Sequence, residues 1–312
     1  MVNAVRVSVA RDPTRSKRFR LKQRHYEAIA GMVFVAPVVL GTVLFDYVPI
    51  VWAFLISLTD WNGLGAWTFR GLDNYVELFA SDREYLESLW ATVYFTVGAT
   101  LGAMVLGMIL ALLVNQRLPG ISFFRAAYFL PVITPVITVG VVWRFLYNPQ
   151  FGAIGQAFAV MGLPAPDWLR STALAMPAVI IVDIWQRSGY NMVLLLAGLQ
   201  GIPREITEAA TVDGANRWRV FLNVTFPLLT PTIFFVLIIS IISSFQVFGL
   251  IYMLTGGGPG TATSVYVYYL WELGFQRFQF GPSAAMAFIL FLLIASVTAL
   301  QWWLSRRWVH YQ

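Results

Sequence analysis

The stretch "IVDIWQRSGYNM" (residues 181–192) places Asp183, Gln186, Arg187, Tyr190 and Asn191 inside an otherwise apolar run. Asp183 and Arg187 are four residues apart, so on a helix they share a face, and Tyr190 falls about one turn further along it. Exposing both charges to hydrocarbon would cost about 5 to 7 kcal/mol, at about 2.5 to 3.5 kcal/mol each, so they must pair or face a wet interior. Two readings stay open: a mutually satisfied pair that holds a helix bundle together, or a polar site on a path through the chain. The second suits hydroxyl-rich ligands, because carboxylate, guanidinium, amide and phenol groups supply both donors and acceptors. Ser240, Ser243, Ser244 and Gln246 in "SIISSFQVF" (240–248) form a second polar group within two turns. Serines there can equally bond their own helix's carbonyls or permit tight helix packing.

A third candidate, "REITEAATVDGANRWRV" (204–220), is the most charged stretch in the second half of the chain. Pro203 suits the first position of a helix, Glu205 and Glu208 lie toward its positive end, and Gly214 supplies the turn that stops it near Asp213. Asn216 then caps a second helix with Trp218, Phe221 and Leu222 on its apolar stripe. Ala209 and Ala210 would let another backbone approach, and Glu208 offers a carboxylate to a partner's arginine. An interfacial amphipathic helix lying among lipid headgroups is the competing reading.

These groups need elements to position them, and composition says which kind. Of 312 residues, 58% are hydrophobic and 12% charged, where soluble domains are nearer a quarter charged. About 20 apolar residues cross a bilayer. Six stretches qualify, at 28–58, 89–114, 126–147, 172–198, 226–254 and 281–304, giving an all-α membrane protein with a six-helix domain over 28–307. A basic tail (1–27) precedes it and a short tail (308–312) follows. The first apolar run continues too far for a cleaved signal, so it is expected to stay as an anchor. With the N-terminus inside, the cytoplasmic segments hold fifteen Lys and Arg, against Arg70, Arg83, Arg170 and Arg277 outside. Positive-inside bias therefore puts both termini and the 199–225 segment in the cytoplasm. Eight cationic residues precede position 26, a pattern that fits anionic lipid rather than nucleic acid. Pro37, Pro131, Pro135, Pro227 and Pro231 should kink spans where neighbours satisfy the freed carbonyls.

There is no cysteine, and the two histidines, His25 and His310, lie near the termini. Cysteine metal sites and disulfides are excluded, and neither a metal site nor a set of catalytic residues is expected. A phosphate-binding G-x-x-x-x-G-K-[ST] loop is missing, so any ATP hydrolysis by that route belongs to another chain.

The segment "EAATVDGANRWRVFLNVTFPLLTP" (208–231) resembles the EAA loop of permease subunits of ATP-binding-cassette importers. Glu208, Ala209, Ala210, Asp213, Gly214, Ala215, Pro227 and Leu228 stand at the family's spacing. "LAGLQGIP" (196–203), "NPQFG" (148–152), "GLDNYVELF" (71–79) and "YMLTGGGPG" (252–260) resemble the carbohydrate-uptake, maltose-type branch. The resemblance implies a type I importer fold in a prokaryotic inner membrane. Its implied partners are a second homologous permease in a heterodimer, two cytoplasmic ATPases holding ATP and Mg, and an extracytoplasmic solute-binding protein. In such permeases the EAA helix docks on the ATPase, with Glu208 as ionic contact, Ala209 and Ala210 as packed face and Gly214 as elbow. The loops at 67–79 and 254–263 are the expected contacts for the binding protein. An ion-coupled transporter titrating Asp183, or an enzyme acting on lipid-linked sugar, are the alternatives.

Overall fold

The computed structural model describes residues 13–116 and 118–309, with side chains from His25 onward. Residues 1–12 of the expected basic tail and the last three residues therefore lie outside the described residues. The chain divides into two units at Leu55 and Ile56. In the first, helix α1 (Pro13–Thr42) carries Pro37 and runs through a wide turn at Val43–Tyr47 into α2 (Val48–Ser57).

The second unit is all-helical among the described residues, apart from an isolated bridge between Thr59 and Phe69. Its helices are α3 (Asp73–Ala80), α4 (Arg83–Val114), α5 (Ile121–Ile133), α6 (Val136–Leu146), α7 (Ala153–Val160) and α8 (Ala175–Gly201). They continue as α9 (Arg204–Val212), α10 (Arg217–Val220), α11 (Phe226–Phe245), α12 (Gly249–Leu254), α13 (Tyr266–Trp271) and α14 (Phe280–Ser305). Near its start the Asn74 amide donates to the Ser57 and Thr59 carbonyls at 2.8 and 2.7 Å, which pins α3 under the bridge. The Thr68 hydroxyl and amide hold the Asp60 carboxyl below its ordinary value in the same loop.

Among the described residues four helices are long and apolar enough to cross a membrane: His25–Ser57, Arg83–Val114, Arg217–Phe245 and Phe280–Ser305. Three expected spans differ from continuous apolar rods. The span expected at 126–147 is two helices, α5 and α6, bent by 98°. Pro135 removes a backbone donor and forces the preceding residue out of the helical region, and Thr134 accordingly adopts an extended conformation with ψ 128°. The span expected at 226–254 stops at Phe245, and Gln246 to Phe248 break it before α12. Helix α8 reaches about 40 Å at 1.5 Å per residue, enough to span, but its polar insert keeps it outside the apolar set.

Helix α4 is the mast against which α8 packs. Ala99, Ala103, Gly107 and Ala111 recur every four residues and are all buried, so one stripe of small side chains lets the two backbones approach. A Cβ added at Gly107 would stand 2.7 Å from the Asn191 Cβ and 3.1 Å from the Met192 amide nitrogen. On the other side of α8, Gly189 lies against the Tyr128 carbonyl of α5, and Gly198 against Thr232 and Leu229 of α11. Three glycines or alanine-lined contacts thus bring α4, α5 and α11 around one polar helix. Gly107→Leu should therefore overpack the α4–α8 contact and cost about 1 to 3 kcal/mol. Gly201→Ala, with nothing within 4 Å, should change stability by less than about 0.5 kcal/mol. Denaturant titration of the two purified variants in micelles distinguishes these outcomes.

Candidate functional site

The polar residues of α8 meet the two broken helices. Arg187 Nε lies 2.8 Å from Asp183 Oδ1, the pairing expected from their spacing. The same guanidinium reaches α11: Nη1 donates to the Ser244 hydroxyl at 3.1 Å and Nη2 to the Ser243 carbonyl at 3.4 Å. That carbonyl is free because the Val247 amide turns to Ser244 O instead, at 3.3 Å, where α11 ends. Gln186 does the equivalent for the other break, its Nε2 donating to the Thr134 carbonyl at 3.1 Å. Two neighbouring side chains on one helix thus satisfy backbone acceptors that the breaks release.

A cavity of about 360 Å³ opens between these elements. Asp183, Gln186, Arg187, Tyr190 and Asn191 of α8 line it, with Ser240, Ser243 and Gln246 from α11 and its end. Ser244 alone among the expected residues is drawn away from it, held between Arg187 and the Thr100 hydroxyl of α4 at 3.2 Å. Val132, Val136, Ile239, Val247, Phe248, Gly249 and Leu250 complete the wall. Sequence reasoning missed these seven because they are apolar or backbone-like, although Pro135 marked the break beside Val132 and Val136. Asp183 is 3% exposed, and its Oδ2 is buried with no hydrogen-bond partner. Asn191 Nδ2 is likewise buried and unpartnered. Beside these two buried atoms the wall carries the exposed Ser243, Gln246 and Tyr190 and the half-buried Gln186, whose hydroxyl, amide and phenol groups can exchange hydrogen bonds with a polar guest. The pairing of Asp183 with Arg187 is present, with one carboxylate oxygen spent on it and the other not.

The second candidate lies at the far end of α8. Ile202 and Pro203 are extended, with ψ of 123° and 132°, and α9 starts at Arg204, so Pro203 sits one place before the position expected for it. Asp213 closes α9, and Gly214 takes φ +84°. The Gly214 amide donates to Thr211 O and the Ala215 amide to Ala210 O, both at 3.0 Å. This crossed pair satisfies the last carbonyls of the helix and requires a left-handed residue between Asp213 and Ala215. Asn216 then caps α10 as expected, its Oδ1 accepting from the Arg219 amide at 2.9 Å. Glu208, Ala209, Asp213 and Gly214 are exposed, and Ala210 and Ala215 half-buried. The alanine–glycine spacing is thus the local stop signal of α9 as well as its surface.

Residues 88–310 match the family model described as "Binding-protein-dependent transport system inner membrane component". The chain belongs to that family. It is 34% identical to the trehalose/maltose transport system permease protein MalF of Thermococcus litoralis over 281 residues, 89% of this chain and 94% of the relative. It is 35% identical to the sn-glycerol-3-phosphate transport system permease protein UgpA of Agrobacterium fabrum, over 91% and 97% of the two chains. The fold is shared with a bacterial alginate ABC transporter crystallised with its pentasaccharide-bound periplasmic protein, at TM-score 0.82 and 22% identity over 92% of this chain and 98% of that one.

This permease is therefore a multi-pass inner-membrane transport subunit of an ATP-binding-cassette importer, working in a complex with an ATPase and a binding protein. ATP hydrolysis belongs to the separate ATPase, and the permease needs no cofactor of its own. Neither the ion-coupled transporter nor the lipid-linked-sugar enzyme finds support among its relatives.

Removing Arg187 alone would leave the Asp183 carboxylate buried and uncompensated, a loss of about 3 to 5 kcal/mol. Arg187→Met should show that loss in denaturant titration, and the double variant Asp183→Asn, Arg187→Met should recover at least half of it. Equal loss in both would mean that the Ser243 and Ser244 contacts, not the ion pair, set the cost.

Proposed function

We propose that this permease carries an uncharged sugar or related polyol or glycoside through the cavity between α8 and α11. The observation that carries the reading is the convergence of eight polar side chains of those elements on one cavity, with Asp183 Oδ2 and Asn191 Nδ2 left unpartnered in its wall. Its volume of about 360 Å³ suits a small saccharide. The names of relatives that move trehalose, maltose and starch degradation products support the class. Asp183, Gln186, Arg187, Tyr190, Asn191, Ser240, Ser243 and Gln246 would contact the guest, and Ser244 would position Arg187.

The same reading assigns six spans, with the bent α5–α6 pair and α8 counted with the four apolar helices, and both termini on the cytoplasmic side of a prokaryotic inner membrane. Glu208, Ala209, Ala210, Asp213, Gly214 and Ala215 then present α9 to one of two ATPases that bind ATP and Mg. A second, different permease completes the pair, and the loops at 67–79 and 254–263 meet the solute-binding protein. A rigid stop at Gly214 is what a lever needs, because the chain from α9 to α11 runs through this corner.

Two measurements test the proposal. In proteoliposomes holding the assembled importer, maltose or trehalose uptake should need ATP, and Asn191→Leu and Ser240→Leu should raise the half-saturating sugar concentration at least tenfold. Uptake driven by an ion gradient without ATP would overturn it. Separately, Gly214→Val forces a β-branched residue to positive φ and should abolish sugar-stimulated ATP hydrolysis while the spans stay folded. Unchanged stimulation in Gly214→Val and Glu208→Gln would remove the coupling role.

A further inference from the structure

A second polar cavity, about 630 Å³, lies where the ends of α4, α5 and α8 meet α9. It takes Asn115 from the end of α4, Arg125 from α5, Gln200 from α8, and Arg204, Thr207 and Glu208 from α9. Its chemistry differs from that of the cavity above, where the one arginine is paired. Arg125 spends Nη2 on the Val114 carbonyl at 2.8 Å, closing the end of α4, but its Nε is buried with no partner. Among the described residues neither Arg125 nor Arg204 is in a salt bridge, and Glu208 is the lone acid among the lining residues. Arg204 stands four residues before Glu208, a spacing that allows pairing, yet the two remain apart.

We propose that this cavity binds a phosphate group, held between Arg125 and Arg204 with the Asn115 and Gln200 amides as further donors. Two guanidinium groups supply directed N–H donors to several oxygens at once, and an orphaned Nε in a wall needs an acceptor. A carboxylate would use fewer of these donors. The inference rests on the proposed orientation, which turns this cavity to the cytoplasm. The cavity and the proposed ATPase face share Glu208: Arg204, Thr207 and Glu208 line the cavity, whereas Glu205, Ala209 and Val212 are exposed outside its lining. The phosphate has two sources, a soluble phosphate compound or the headgroup of an anionic phospholipid, and either would tie α9 to the ends of three membrane helices.

The test uses the whole importer in nanodiscs, with the ATPase sites filled throughout by a non-hydrolysable ATP analogue. In phosphatidylcholine discs, inorganic pyrophosphate should raise the thermal midpoint saturably in the wild type, and Arg204→Ala and Arg125→Gln should need at least tenfold more. That result assigns a soluble source. Retention of phosphatidylglycerol by the wild type in native mass spectrometry, lost in both variants, assigns the headgroup. Among the described residues the Arg204 guanidinium makes no hydrogen bond or salt bridge, its carbonyl alone accepting from the Thr207 hydroxyl, so Arg204→Ala reports on binding even if Arg125→Gln unfolds. Wild type and Arg204→Ala behaving alike in both arms overturns the proposal. Failure of the coupling reading would appear instead in the Gly214 variant, which lies outside the cavity lining, with phosphate binding intact.

Discussion

Two backbone carbonyls, those of Thr134 and Ser243, are the constraint on which the rest of the molecule turns. Each is released where a helix breaks inside the membrane-spanning part of the chain, and each would carry a desolvation penalty if left unbonded. Gln186 and Arg187, adjacent on α8, bond one each. Because both donors sit on one helix, α5–α6 and α11–α12 must break at the same level, and the space between the breaks becomes the cavity. The ion pair with Asp183 holds the Arg187 guanidinium in that position, so a single carboxylate helps shape both broken helices.

On the proposed reading, this arrangement joins structure and transport in the same residues. A fully satisfied polar cluster would be a rigid strut, and a fully open one would not hold two breaks in register. Asp183 divides its two oxygens between these demands, one facing Arg187 and the other left unbonded. The small-residue stripe on α4 makes it possible, since Ala99, Ala103 and Gly107 let α8 pack close while Thr100 of the same helix reaches Ser244 of α11. A bulkier α4 would push α8 outward and pull Arg187 from the end of α11.

At the other end of α8 the chain solves a different problem. The corner from α9 to α10 is fixed by two crossed amide bonds around Gly214 and an asparagine cap at Asn216, the stiffness that the proposed coupling role requires. The fixed spacing of alanine, aspartate and glycine in this segment is explained locally by that stop. Only the exposed face of α9, with Glu208 at its edge, is free to serve a partner.

Much of this was legible in the order of residues. Apolar run lengths marked the membrane helices, the i, i+4 spacing of Asp183 and Arg187 implied their pairing, and the glycine and asparagine of the 213–216 segment marked its turn and cap. These are all short-range features, set by helix period and by which backbone conformations a residue can adopt. Pro135 announced a break but not its angle, and nothing local announced the end of α11 at Phe245 in a run of apolar residues. Tertiary structure alone decided that both breaks face α8, that Ser244 turns to Thr100 and Arg187 rather than into the cavity, and that Arg125 and Arg204 share a second one. Those outcomes depend on contacts between residues 50 or more apart, where the position of a hydrogen-bond donor on one helix selects the conformation of another.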